Sequence, residues 1–242
     1  MTNDTLSLQN AINYAATNGL NVYVPAGHYL FTRLYFYHES SLNPDWPSAA
    51  GKEGRMIFFG DGAAGGYDVM YGTFKRTVLE SIDPSGPAFD IYGDNVGHRL
   101  NRLKFRDITV KASNSTQVIK FYKANHFVSL EDVTIDQSGT GDGVWVEDSW
   151  VNTWKDVYIY GAGADYSGVG LILRGVAQAG GNNIFINVNT SDFKTGWHIG
   201  HETYNSGVLS ATFTCIGCQS SGASSYGVLI GHGAKAVSWR GG

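Results

Sequence analysis

A six-residue pattern returns five times between Leu103 and Ala234, and few folds can accommodate it. Phe105-Arg106-Asp107-Ile108-Thr109-Val110 comes back as Leu130-Glu131-Asp132-Val133-Thr134-Ile135 and again as Trp154-Lys155-Asp156-Val157-Tyr158-Ile159. Looser copies are Phe185-Ile186-Asn187-Val188-Asn189-Thr190 and Cys215-Ile216-Gly217-Cys218-Gln219-Ser220. The third positions, 107, 132, 156, 187 and 217, are 25, 24, 31 and 30 residues apart. A second line of short alternating segments runs between the copies, at 119–122, 144–147, 171–174, 197–200 and 228–231. Two interleaved strand lines that drift in step describe a coil of strands, one turn per repeat, in which each turn buries its apolar residues against the next.

Composition agrees with strands and bounds the partners. The 32 glycines are about twice the usual share of roughly 7% and follow no collagen period, so they read as turn residues. Charged residues are 16% of the chain and aromatic residues 13%. A surface that is polar, weakly charged and aromatic suits sugars better than nucleic acids. A net charge of −4 offers no field for phosphates, which argues against DNA or RNA as partners. No apolar run is long enough for a membrane-spanning helix. Residues 1–5 have neither a basic nor an apolar leader region, so no signal peptide is expected. A protein of this kind acting outside a cell would leave by another route, such as lysis with a virus particle.

At the N-terminus, Asp4 or Thr5 can cap a helix whose Leu8, Ala11, Ile12, Ala15 and Ala16 share one face, and Gly19 ends it. Strands at 21–24 and 28–31 follow, separated by Pro25-Ala26-Gly27. A helix at the start of a strand solenoid covers its open end. The series Thr5, Leu8, Gln9, Ala11, Ile12, Gly19 and then Val22-Tyr23-Val24-Pro25-Ala26-Gly27-His28-Tyr29 resembles the entry to the right-handed β-helices of the pectate-lyase superfamily. It is closest to the branch used by bacteriophage tailspikes and capsule depolymerases. The resemblance implies binding and cleavage of a bacterial surface polysaccharide, by hydrolysis or elimination, in a homotrimer on a virion tail. Active sites in that branch lie on one chain or between two. The rival readings are a non-catalytic adhesin or structural virion protein, and a cellular pectate-lyase-like enzyme or epimerase.

The expected fold is all-β: a single-stranded right-handed parallel β-helix with an N-terminal capping α-helix. Residues 1–19 form the cap, 20–76 the first coils with an irregular insertion, and 77–242 the regular β-helix. The segment 237–242 does not read as a cap, so the regular part is expected to be truncated or covered by a partner chain. Gly60-Asp61-Gly62 is followed by no Gly-Lys-Ser/Thr and no helix, and is no phosphate loop.

Alternation places the chemistry. In the second strand line Ile119, Phe121, Val144, Val146, Leu171 and Leu173 face inward. Lys120, Trp145, Ile172 and His198 then form one outward column, and Tyr122, Glu147 and Arg174 the next. Trp145 offers a flat face to a sugar. Glu147 is an acid, base or nucleophile candidate with Lys120 and Arg174 in reach, and the plain alternative is a cross-strand ion pair. His198 is a candidate proton shuttle. Asp136, in an outward column with Lys111 and Tyr160, and Asp142 are further carboxyl candidates. Asp107, Asp132 and Asp156 fall at strand bends and read as architecture, although stacked carboxylates leave calcium open. No other cofactor is expected. Cys215 and Cys218 read as small residues inside a coil, with half of a zinc site beside His198, His201 or His232, or a redox pair, as alternatives.

Overall fold

The computed structural model describes residues 3–37, 56–63, 76–93, 102–123, 127–149, 151–163, 168–175, 180–201 and 211–241. Most of the expected insertion therefore lies outside the described residues. One helix, α1 (Thr5–Asn18), is followed by strands β1 (Val22–Tyr23), β2 (Gly27–Phe31), β3 (Leu34–Tyr37), β4 (Met56–Phe59), β5 (Thr77–Ser81) and β6 (Phe89–Tyr92). The regular coils contain β7 (Leu103–Ala112), β8 (Gln117–Tyr122), β9 (Ser129–Gln137), β10 (Asp142–Glu147), β11 (Thr153–Tyr160), β12 (Val169–Arg174), β13 (Gly180–Ser191) and β14 (Thr195–Ile199). The last coils contain β15 (Ala211–Ile216), β16 (Gln219–Ser221), β17 (Tyr226–Ile230) and β18 (Ala234–Arg240).

Among the described residues the named strands pair in parallel, each with a strand of the next coil. One sheet runs β17-β14-β12-β10-β8-β6-β3 and the other carries the long strands β7, β9, β11 and β13. The chain is a right-handed parallel β-helix. Each long strand is two strands joined at a bend: β4 pairs with the first half of β7 and β5 with its second half, as β15 and β16 do with β13. At each bend one residue has a positive φ: Asp107 (55°), Asp132 (50°), Asp156 (53°), Asn187 (51°) and Gly217 (65°). Asp, Asn and Gly are the residues that enter this left-handed region most readily. The recurring Asp is thus explained by the bend. A second positive-φ column, Arg102, Phe127, Val151 and Asn182, leads into the long strands.

The repeats stack like on like. Phe58, Phe105, Leu130, Trp154, Phe185, Cys215 and Trp239 hold one inward register from coil to coil. Phe36 meets Phe105 edge-on at 5.0 Å, and Trp154 meets Phe185 at 5.1 Å. Each such pair contributes about 0.5–1.5 kcal/mol beyond its buried area.

Helix α1 buries Leu8, Ile12, Ala15 and Ala16, but Ala11 is exposed and Asn13 is buried in its place. The Asp4 side chain does not cap the helix; Asn3 Oδ1 accepts the Thr5 N–H instead, and Asp4 Oδ2 accepts from Leu30 N. Gly19 is left-handed, as expected. Gln9 shows how the helix closes the sheet. Its Oε1 accepts from Tyr35 N at 2.8 Å and its Nε2 donates to Tyr35 O at 2.9 Å, so one amide side chain replaces a neighbouring strand at the edge of β3.

The cysteines differ from the sequence reading. Cys215 and Cys218 form a disulfide. Gly217, at the bend, turns the chain so that their Cα atoms lie 5.9 Å apart. This pairing removes both sulfurs as zinc ligands. At the last coil the inward-register residues Val228 and Ile230 are 38% and 55% exposed.

Candidate saccharide-binding face and carboxylate groove

The outward columns form as the alternation predicts. Trp145 sits beside Lys120 and Ile172, and Ile172 beside His198. Glu147 sits beside Tyr122 and Arg174, and Tyr122 beside Tyr92. Tyr92 extends the second column one coil further than the sequence reading took it. The Tyr92 and Tyr122 rings stack with centroids 5.1 Å apart and planes 29° apart.

Glu147, Trp145 and Arg174 lock together. Oε2 of Glu147 accepts from Trp145 Nε1 at 3.0 Å, from Arg174 Nε at 2.8 Å and from Arg174 Nη2 at 2.7 Å. The Arg174 guanidinium lies 4.1 Å from the Trp145 ring centroid and covers one of its faces. A single oxygen holding three donors fixes both a cation and an indole in one orientation. This is the cross-strand ion pair of the plainer reading, built into the middle of the candidate site.

The second expected cation behaves differently. Lys120 lies over the Tyr122 ring at 5.4 Å, and Lys123 lies over it at 4.8 Å. Burial works against the Lys123 charge, but hydrogen bonding to Tyr122 and the nearby Tyr92 and Asp148 outweigh it, so its pKa is raised. His198 occupies its expected register yet is only 8% exposed, and Ile172 beside it is 6% exposed. The column is therefore closed at these coils, and the open part of the face runs from Tyr92 to Arg174.

The other carboxyl candidates have separate surroundings. Asp136 aligns with Lys111 and Tyr160. Burial raises its pKa, Lys111 opposes this and Glu80 adds to it. Asp142 opens β10, and its Oδ1 accepts from Val169 N at 2.8 Å, tying one coil to the next. Burial raises its pKa too, against that hydrogen bond and Arg174. Tyr160 stacks with Tyr158 at 6.5 Å and 11°.

A feature that sequence reasoning missed lies on the other sheet. Asp107, Asp132 and Asp156 line a groove of about 470 Å³ with Thr134, Tyr158 and Arg76. Asp132 stands between the other two, one coil step of about 4.8 Å from each. Asp107 has Arg106 Nε at 3.5 Å, and Asp156 has Lys155 Nζ at 3.7 Å and the Asn187 amide at 2.7 Å. Burial raises the pKa of Asp132, and the charges of Asp156, Asp107 and Glu131 raise it further against Lys155. The recurrence of Asp was visible in the sequence. The wall that turns the ladder into a groove, Asp61 to Ala63 and Arg76, comes from a coil that lacks the repeat. Among the described residues no three His, Cys, Asp or Glu side chains converge as metal donors. His201 and His232 pair through their backbones, and His201 Nε2 is bonded to Gly175 O.

A parallel β-helix with an aromatic and cationic face belongs to a well-populated class of coiled-strand proteins. Within it, residues 1–222 match the family described as rhamnogalacturonase A/epimerase, pectate lyase-like, and the chain belongs to that family. No curated protein sequence matches it. Among solved structures, ORF18 of Geobacillus virus E2 aligns at 15% identity and a TM-score of 0.43 over 98% of this chain, which spans 56% of that protein. The A-module of the Azotobacter vinelandii mannuronan C-5 epimerase AlgE4 aligns at 16% identity and 0.39, over 98% of this chain and 72% of its own. The Dettilon tailspike protein aligns at 10% identity and 0.38, over 88% and 46%.

Proposed function

We propose that the face from Tyr92 to Arg174 binds a bacterial surface polysaccharide (capsule, O-antigen or exopolysaccharide) and that the protein cleaves it, as a homotrimeric tailspike-type depolymerase of a virion tail. The observation that carries this reading is the stacked Tyr92–Tyr122 pair, flanked by Lys120 and Lys123 and continued by Trp145 and Arg174. Flat rings bind the apolar faces of sugars, and fixed cations hold acidic substituents. The family's description, which names a rhamnogalacturonase and an epimerase, supports a polysaccharide substrate.

Two chemistries use the same face. In hydrolysis the carboxyls on this face are Glu147 and Asp142, whose separation sets retention or inversion, whereas Asp136 lies on the long-strand sheet. In elimination Arg174 or Lys120 neutralises a uronate carboxylate, the Tyr122 phenolate takes the proton next to that carboxylate, and the phenol so formed returns it to the glycosidic oxygen as the C–O bond breaks. His198 then closes one end of the site, and Tyr160 stands on the long-strand sheet outside it. A non-catalytic adhesin is the second reading, and the engagement of Glu147 Oε2 by three donors favours it.

Incubation with a panel of capsular and O-antigen polysaccharides, followed by product analysis, tests the proposal. Unsaturated uronate ends identify elimination, and new reducing ends without unsaturation identify hydrolysis. Saturable binding with no cleavage by the assembled protein would leave the adhesin.

A further inference from the structure

We propose that the Cys215–Cys218 disulfide is a redox-sensitive latch. Closed, it holds the half-coil of β16 and β17 against the coil before it. Opened by a thiol reductant, it releases that half-coil while the earlier coils stay folded.

The latch spans a change in strand pairing. Cys215 lies in β15, which pairs with β13 on one side and with β18 on the other. Cys218 follows the bend at Gly217 and leads into β16, which among the described residues pairs only with β13. In the same way β17 pairs only with β14, and its Tyr226, Val228 and Ile230 are exposed. The disulfide therefore ties a half-coil held from one side to a strand held from both. Segments with few buried contacts and exposed backbone hydrogen bonds are the ones that open locally.

The core beneath this half-coil is the independent observation. One inward register carries Val110, Ile135 and Ile159 through the earlier coils and continues as Thr190 and Ser220. The Thr190 and Ser220 hydroxyls are both buried, and neither has a hydrogen-bond partner among the described residues. They have lost water without gaining a partner, which weakens the core at the coil where the latch sits. In the neighbouring inward register Cys215 stands where Trp154 and Phe185 stand in the coils before it. A covalent link thus takes over where ring packing and aliphatic fill give out.

Both cysteines are fully buried, so a reductant reaches them only when the half-coil has swung out. A thiolate then attacks one sulfur to form a mixed disulfide, and the other cysteine leaves as a thiolate and takes a proton. A second reductant thiol displaces the first. Two electrons and two protons pass to the cysteine pair, and the reductant leaves as its own disulfide. The reduced half-coil keeps its one-sided pairing and its two unsatisfied hydroxyls, and it stays open for a larger fraction of the time. Because β17 is the end strand of the sheet that carries the saccharide face, reduction loosens the end of that sheet and spares the part from Tyr92 to Arg174.

Hydrogen exchange followed by mass spectrometry tests this, on the full chain before and after dithiothreitol under native conditions, with thiol counting to establish that the bond has opened. Peptides within 216–231 should exchange about tenfold faster or more after reduction, and peptides within 103–160 should not change. Cys215→Ala with Cys218→Ala should show the same local gain without reductant. Thr190→Val added to that pair should restore part of the protection, because it removes one unsatisfied hydroxyl. The proposal is overturned if dithiothreitol opens the bond only where the whole chain unfolds, or if exchange within 216–231 is unchanged by reduction. It is equally overturned if the gain spreads evenly along the chain, which would make the disulfide a support of the whole fold.

Discussion

Arg174 lies 4.1 Å over the ring of Trp145 and at the same time donates twice to Glu147, the residue that accepts the Trp145 indole N–H. Arg174→Ala breaks the ring contact and both hydrogen bonds to Glu147, and leaves only the Trp145 indole N–H on that carboxylate. It leaves Glu147, which is nearly buried, without its counter-charge. We expect a loss of about 1–3 kcal/mol in urea denaturation, together with a shift in tryptophan emission as the Trp145 face opens to water. Arg174→Lys restores the charge without the planar two-point contact and should recover only part of the loss.

Asp132 carries a pH signature. Its folded-state pKa is raised by burial and by Asp156, Asp107 and Glu131. A carboxyl raised above its unfolded value of about 3.9 favours the fold while protonated, and that contribution is lost as pH rises through the folded value. Asp132→Asn should therefore raise the thermal midpoint at pH 7 and have little effect near pH 3. Thermal unfolding at the two pH values checks this. A midpoint lowered at pH 7 would show that the Asp132 charge supports the bend.

Val151 is a β-branched residue at φ 60°, in the column whose next member is Asn182 at 57°. The left-handed conformation costs an ordinary residue roughly 1–2 kcal/mol, and Asn less. Val151→Asn should stabilise the protein by about 1 kcal/mol, read from the denaturation midpoint at unchanged slope.

The disulfide closes a very short loop, so its effect on the unfolded chain is modest. Cys215→Ala with Cys218→Ala should cost about 2 kcal/mol. Without reductant, thiol titration of the denatured protein should find no free thiol, because the two sulfurs are bonded to each other and the chain has no other cysteine.

The sequence makes the coils readable because register in a β-helix follows from alternation and period. Once Phe105, Leu130 and Trp154 are aligned, Lys120, Trp145, Glu147 and Arg174 follow. The helix cap and the bend at each Asp were readable for the same local reasons. What lay beyond reading depends on side-chain direction or on coils outside the repeat. Arg174 turns to Trp145 as well as to Glu147, Lys120 turns to Tyr122, and His198 is covered although its register faces outward. The disulfide needs the left-handed Gly217, and the Asp ladder becomes a groove only through Arg76 and the residues after β4.

The central claim is that the face from Tyr92 to Arg174 holds a polysaccharide. Affinity electrophoresis against the polysaccharide that the intact protein binds best, comparing it with Tyr122→Ala and Trp145→Ala, tests this directly. The account predicts that each variant stays folded and loses affinity by about tenfold or more, the scale of a lost sugar–aromatic stack. Unchanged affinity in both variants would contradict it.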